Sequence, residues 1–300
     1  MKQALAELYP GSRTRDIITS AAPGWSVLNP SIAQGPEGYK CIVRSSNFVE
    51  RNGEYLVADP ENIVRTKNYL CELDDKLRIT SMDIIDTSEV EPEVKFTLVR
   101  NMEDARLFYS GGCWWASGTS REHRNDGVPK IALDRLSLRP SPRSVERSYM
   151  DGPDPYLCEK NWMPLVGTES PIWVYSCNPS AITDGSSKFP GGGFEGDADL
   201  RGSSQVIPVN DGEFHVGVTH EVTFIQSGSN WQRQYWHRLV KFDESGFLLG
   251  MGEPFYFMAH GIEFANGIVE WNDQLVVSFG FRDERAMLAF IPKEPALRSI

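Results

Sequence analysis

Short apolar or alternating runs, cut by Gly, Asp, Asn and Pro, recur from about residue 25 to the end of the chain. That texture predicts β-strands joined by turns. Helical periodicity is scarce: only "KQALAELY" reads as one short helix, ended by Pro10-Gly11. Set against one another, the runs repeat a plan of apolar run, turn, apolar run and polar tail. The plan occurs in "PSIAQGPEGYKCIVRSSN", "ARLFYSGGCWWASGTS", "MPLVGTESPIWVYSCNP", "SQVIPVNDGEFHVGVTHE" and "NGIVEWNDQLVVSFGFRDE". Further strand candidates lie between the copies, in "KNYLCELD", "KIALDRLSL", "YWHRLVKFD" and "MLAFIP". Five hairpins with added strands predict an all-β, five-bladed β-propeller with a central axial pocket. A β-sandwich would share the turn density. The domain reading is an N-terminal extension over 1–24 carrying the helix, then one propeller over 25–300.

The polar residues keep one position in each repeat. Before the first strand stand Asn29, then Glu103, Asp104 and Arg106, then Glu159, Lys160 and Asn161, then Arg201, Ser203 and Ser204, then Glu263 and Asn266. After the second strand come Arg44, His220 with Glu221, and Asp283. In a propeller the innermost strands line the channel, so these groups are expected to converge. Asn29 and Asp283 could equally serve as turn formers, and Glu103 as a buried partner for Arg106. Asp104 is harder to assign to structure alone, because it sits between an acid and an arginine. If the segment is extended, Glu103 and Asp104 point opposite ways, with Arg106 on the side of Asp104. His220 and Glu221 alternate likewise. "YWHRLVKFD" adds Tyr235 and His237 as candidates, with His237 rather than Arg238 facing inward.

No HExxH, nucleophile elbow, P-loop or dinucleotide fingerprint is present, and no metal-ligand spacing is found. "PGGGFEG" reads as a flexible loop or, more sharply, as a lid or phosphate nest.

Composition narrows the partners. The formal net charge of −11 over 300 residues argues against a nucleic-acid polymer. No apolar run is long enough to span a membrane, and the N-terminus lacks a signal-peptide apolar region. Five widely spaced cysteines without a CxxC pair argue against a disulfide framework or zinc ribbon and fit a reducing cytoplasm.

The ordered set of motifs resembles a known family. "EDARLF" resembles the Glu-Asp-Pro-Arg motif of glycoside hydrolase family 130, the β-mannoside phosphorylases. "LNPSI" with "IVRSSN" looks like its Asn-Pro and Tyr-Arg segments, and "EKNWMPL" like its Lys-Asp/Asn segment. "GIEFANGIVEWNDQLVVSFGFRDERAMLAFI" looks like its closing blade. The resemblance covers roughly residues 25–293 and extends to related mannosyltransferase/phosphorylases. It implies inverting glycosyl transfer in the axial pocket, with no cofactor beyond a phosphate, sugar-phosphate or nucleotide-sugar substrate and with a carbohydrate acceptor. Carried over by motif, Asp104 would be the general acid/base, and Arg44, Arg106 and Lys160 would bind phosphate or another anion. Ala105 stands where the family has proline, and Ser176, Cys177 and Asn178 where phosphorylases carry a His-Arg pair. His220, His237 and Arg238 could supply replacement charge, for a substrate that brings its own phosphate. The alternatives are a hydrolase, with Glu221, Glu263 or Asp283 as second carboxylate, and a non-catalytic sugar-binding propeller.

Overall fold

The computed structural model describes residues 2–18, 20–51, 54–192, 200–227 and 230–300. Residues 193–199 lie outside them, and with them most of "PGGGFEG", the stretch at 190–196 read as a lid or nest.

Almost every predicted run forms a strand, and the strands pair into sheets in chain order. The first sheet holds Ser26–Gly35, Gly38–Ser46, Val64–Leu73 and Ile79–Ile84, with Val99–Arg100 paired to the third strand. The second holds Glu103–Ser110, Cys113–Ser120, Lys130–Ser137 and Arg143–Met150. The third runs from Met163–Pro164 through Trp173–Cys177 and Ser180–Thr183 to Lys188–Pro190. The last is Glu263–Trp271, Gln274–Phe281 and Arg285–Pro292, finished by the N-terminal strand Arg13–Ile18. Each of these four is built on four antiparallel strands, the form of a propeller blade; Val99–Arg100 adds a parallel pair to the first.

The fourth repeat departs from the plan. Its central hairpin, Phe214–Ser227 with Asn230–Phe242, is much longer than the others and anchors a branched seven-stranded sheet. Two short strands, Arg201–Gly202 and Ile207–Val209, share one edge of that hairpin. Leu248–Met251 and Phe255–Tyr256 share the other. So four regular blades are found where the repeats predict five, because here a long hairpin collects broken partners on both sides.

Five apolar clusters lie between successive sheets. Ala33, Ile42 and Leu107 join the first to the second, and Phe108, Trp162 and Trp173 the second to the third. Met163, Val174 and Phe242 join the third to the branched sheet, and Val218, Phe257 and Phe279 that sheet to the last. Val27, Val276 and Leu288 join the last back to the first. The sheets therefore close into a ring, a propeller arrangement. This explains why "QLVVSFGF" is apolar nearly throughout: a sheet covered on both faces buries both sets of its side chains. Each such side chain contributes roughly 1.5–3 kcal/mol by leaving water.

The predicted helix forms at Leu5–Leu8. The first residues are woven into the sheets: Gln3–Ala4 pairs with Phe255–Tyr256, and Arg13–Ile18 with Arg285–Pro292. One small hairpin, Phe48–Arg51 with Glu54–Val57, stands outside the ring sheets. Among the described residues no helix is long and apolar enough to cross a membrane.

Candidate active site

The mouths of the inner strands are bent by left-handed residues. Asn29, Asp104 and Asn161 have φ of 43°, 51° and 64°. At Asn29 and Asp104 the pairing register also slips, a β-bulge that re-aims the side chain. Glycine makes room: a Cβ at Gly118, on the paired strand, would lie 2.6 Å from the Glu103 carbonyl oxygen, and one at Gly280, in the last sheet, would strike Asn29 Oδ1. The bulge corrects the extended-strand expectation. Glu103 and Asp104 do not point apart. Both grip Arg44, whose Nη2 donates to Glu103 at 2.7 Å and Nη1 to Asp104 Oδ1 at 2.7 Å. Thr66 accepts from Arg44 Nε at 3.4 Å.

The groups converge on a cavity of about 450 Å³. Asn29, Arg44, Glu103 and Asp104 line it from the first two sheets. Lys160 and Asn161 come from the segment before the third, Arg201, His220 and Tyr235 from the branched sheet, and Asp283 from the last. A larger cleft of about 540 Å³ opens between the first and second sheets. Its buried acid Asp134 is already matched by Arg147, at 2.6 and 2.7 Å, and by Ser144.

Four expected site residues do not reach the cavity lining. Arg106 is buried behind it. Its Nε donates to the Ser203 carbonyl and its Nη1 to the Asp104 carbonyl at 3.3 Å, so it is neither the partner of Glu103 nor a ready anion ligand. Burial pulls its pKa down to about 10, against the opposing pull of Asp104. Glu221 faces away from His220 and pairs with Arg238 at 2.5 Å, leaving Arg238 no free charge to lend the cavity. His237 is wholly buried against Phe257, and burial drives its pKa to about 3, so it is neutral. Glu263 is also fully buried. It accepts three backbone N–H bonds from Phe257, Met258 and Ala259, fixing that loop instead of meeting a ligand.

Of the three carboxyls that line the cavity, Asp104 and Asp283 are pushed in opposite directions. Burial pushes Asp104 up, but the Arg44 guanidinium, the Asn29 amide at 2.7 Å and the Arg106 charge outweigh it and hold the acid below the usual carboxylate range. Its Oδ2 accepts no hydrogen bond among the described residues, and the side chain keeps a quarter of its surface open. Asp283 goes the other way. Burial raises it to about 6, with Asp104 adding to the rise and Arg44, Tyr55 and Arg233 opposing it. Such separation of two neighbouring acids is the usual sign of divided acid and base roles. Burial, with the neighbouring His237 ring and the charges of Arg201, Arg106 and Lys160, presses His220 well below its ordinary value. Its Nδ1 meets Ser203 Oγ at 2.9 Å. The exposed cations at the cavity are Lys160 and Arg201, joined by Arg233.

Tyr55 and Arg233 are cavity residues that the repeat pattern did not flag. Arg233 Nη1 donates to the Tyr55 hydroxyl at 3.2 Å, and that hydroxyl donates to Asp283 Oδ2 at 3.2 Å. Tyr55 comes from the small outer hairpin, for which "VERNGEYLV" carried a signal in its Asn-Gly between alternating residues.

No protein-family profile matches the chain, and no curated protein sequence matches it. Solved structures do. A structure of the GH130 family of mannoside phosphorylases, containing glycoside hydrolases that target beta-1,2 mannosidic linkages in Candida mannan, matches with TM-score 0.63 and 13% identity over 96% of each chain. The beta-1,2-mannobiose phosphorylase of Listeria innocua, in complex with beta-1,2-mannobiose, matches with TM-score 0.57 and 12% identity over 96% of this chain and 99% of that one. MPT-1 of Leishmania mexicana, a GDP-Man-dependent mannosyltransferase, matches with TM-score 0.58 and 11% identity over 93% and 90%. The chain shares its fold with these proteins. At such identity the likeness carries the ring of sheets and not the substrate.

Proposed function

We propose that the chain is a carbohydrate-active enzyme of the inverting glycosyl-transfer type, working at the cavity shared by the five large sheets, with the branched sheet as the fifth blade. The observation that carries this reading is Asp104: an acid held ionised by Arg44 and Asn29, with one oxygen open to a cavity that also holds Asp283 and exposed cations. In synthesis the acceptor hydroxyl attacks the anomeric carbon of the donor, and its proton passes to Asp104, directly or through a sugar hydroxyl. The bond from that carbon to the phosphate oxygen breaks on the opposite face. The electron pair leaves with the phosphate, whose charge meets Lys160 and Arg201. Run backwards, the same steps are phosphorolysis. No cofactor enters, because the phosphate belongs to the substrate, and the five free thiols suit a reducing cytoplasm.

One observation favours a second reading. Of the three acids considered as a base for water, only Asp283 lines the cavity, and a hydrolase would use it in that role. The test is a screen of sugar phosphates, nucleotide sugars and β-mannosides, followed by rates for Asp104→Asn and Asp283→Asn. Asp104→Asn should cut turnover by roughly 10²–10⁴-fold while leaving folding intact. Near wild-type turnover in that variant would remove Asp104 from the chemistry. Release of free sugar, with Asp283→Asn inactive, would establish the hydrolase.

A further inference from the structure

The long hairpin continues past the cavity. Its register pairs Val222 with Tyr235, Phe224 with Arg233 and Gln226 with Trp231, which places all six on one face. Val222 and Tyr235 line the cavity already described. Phe224, Trp231 and Arg233 line a second chamber of about 460 Å³, and the two spaces share Tyr55, Arg233 and Ile262. From residue 222 to residue 226 this face runs about 14 Å at the strand rise, long enough for one ligand to enter both spaces.

The outer chamber has a distinct chemistry. Phe224 and Trp231 are each 62% exposed, large rings that no described residue covers. Arg51 and Glu284 form an ion pair and cancel. Arg233 bonds to tyrosine oxygen, and Arg282 makes no salt bridge among the described residues while lying against the Phe281 ring. That leaves two arginines against one acid, Glu50. A neutral glycan is usually met by carboxylates and amides that accept from its hydroxyls. Flat rings beside guanidiniums that make no salt bridge among the described residues suit a planar base followed by phosphates.

We infer that the outer chamber binds the nucleoside end of a nucleotide-sugar donor, base against Trp231 and Phe224 and first phosphate at Arg233 and Arg282, with the sugar-bearing phosphate and the sugar passing into the inner cavity toward Lys160 and Arg201. This rests on the glycosyl-transfer reading and specifies its donor. The experiment is calorimetric titration of the full chain with ADP, GDP, UDP and CDP, beside inorganic pyrophosphate and a β-mannooligosaccharide. At least one nucleoside diphosphate should bind more tightly than pyrophosphate. Trp231→Ala should weaken it by about 5- to 150-fold, the worth of one base–aromatic stack, and Trp231→Phe should restore most of the loss. Pyrophosphate binding should not respond to either change. Binding no tighter than pyrophosphate, indifference to Trp231→Ala, or Trp231-dependent binding of the oligosaccharide instead would overturn the inference. Turnover of another donor that still depends on Asp104 would then leave the inner-site reading standing. Trp231-dependent nucleotide binding with an Asp104→Asn variant at full turnover would fail the inner site alone.

Discussion

Arg44 decides what Asp104 can be. A guanidinium presents its donors in a fixed fork, and here the fork spans Glu103 and Asp104 together while Asn29 holds the same Asp104 oxygen. Asp283 lies beyond that fork and bears the desolvation without a direct cation. Its raised pKa has a measurable consequence. The unfolded carboxyl titrates near 3.8 and the folded one at about 6, so between those values the folded state holds the extra proton. Stability contributed by the protonated acid is therefore full below pH 4 and is lost as pH rises through 6. Asp283→Asn removes this dependence. The unfolding free energy of the variant relative to wild type should rise between pH 4 and pH 7 by on the order of 2–3 kcal/mol. Urea melts at a series of pH values would read it, and a flat difference would mean that Asp283 is ionised throughout.

At the scale of elements, two hairpins outside the regular plan complete the site. The small one, Phe48–Arg51 with Glu54–Val57, is tied to the ring by Tyr55 and by the Arg51–Glu284 pair. The long one supplies Arg233 as the next link. Tyr55→Phe deletes both bonds of the hydroxyl and keeps the ring contact with Phe48, whose centroid lies 5.0 Å away. Because the Tyr55 bond lowers Asp283, its loss should move the Asp283 midpoint above 6 in carboxyl NMR titration. Amide exchange across residues 54–57 should quicken, with global stability changed by only about 1 kcal/mol. An unmoved midpoint would show that the hydroxyl does not govern the acid.

The whole molecule closes through its N-terminus. Arg13–Ile18 forms the outer strand of the last sheet, fastened by Asp16 to Arg285 at 2.9 and 2.7 Å and by Arg13 stacked 3.8 Å over Phe290. Removing residues 1–18 would bare the edge of Arg285–Pro292 and uncover Tyr9's place beside Phe255. Open apolar edges pair with other chains. The truncated chain should melt roughly 10 °C lower or more and form soluble oligomers visible by light scattering. A monomer of unchanged melting temperature would show that the ring does not need this strand.

The repeats could be read from the chain because strand alternation and turn residues are local. "ARLFYSGGCWWASGTS" states its own hairpin, and five such statements imply a ring. The convergence of Asn29, Asp104, Lys160, His220 and Asp283 was legible for the same reason, since each holds a fixed place in its repeat. What lay beyond the sequence was direction and partner choice. Bulges at Asn29 and Asp104 turned side chains that alternation would have sent elsewhere. Arg44, distant in sequence, took the carboxylates that Arg106 seemed placed to take. Glu263 occupies a repeat position as regular as that of Asp104, yet it does not line the cavity. Which polar group faces a cavity and which is sealed behind it depends on backbone twist at single residues and on what the neighbouring sheet presents, and only the assembled ring fixes both.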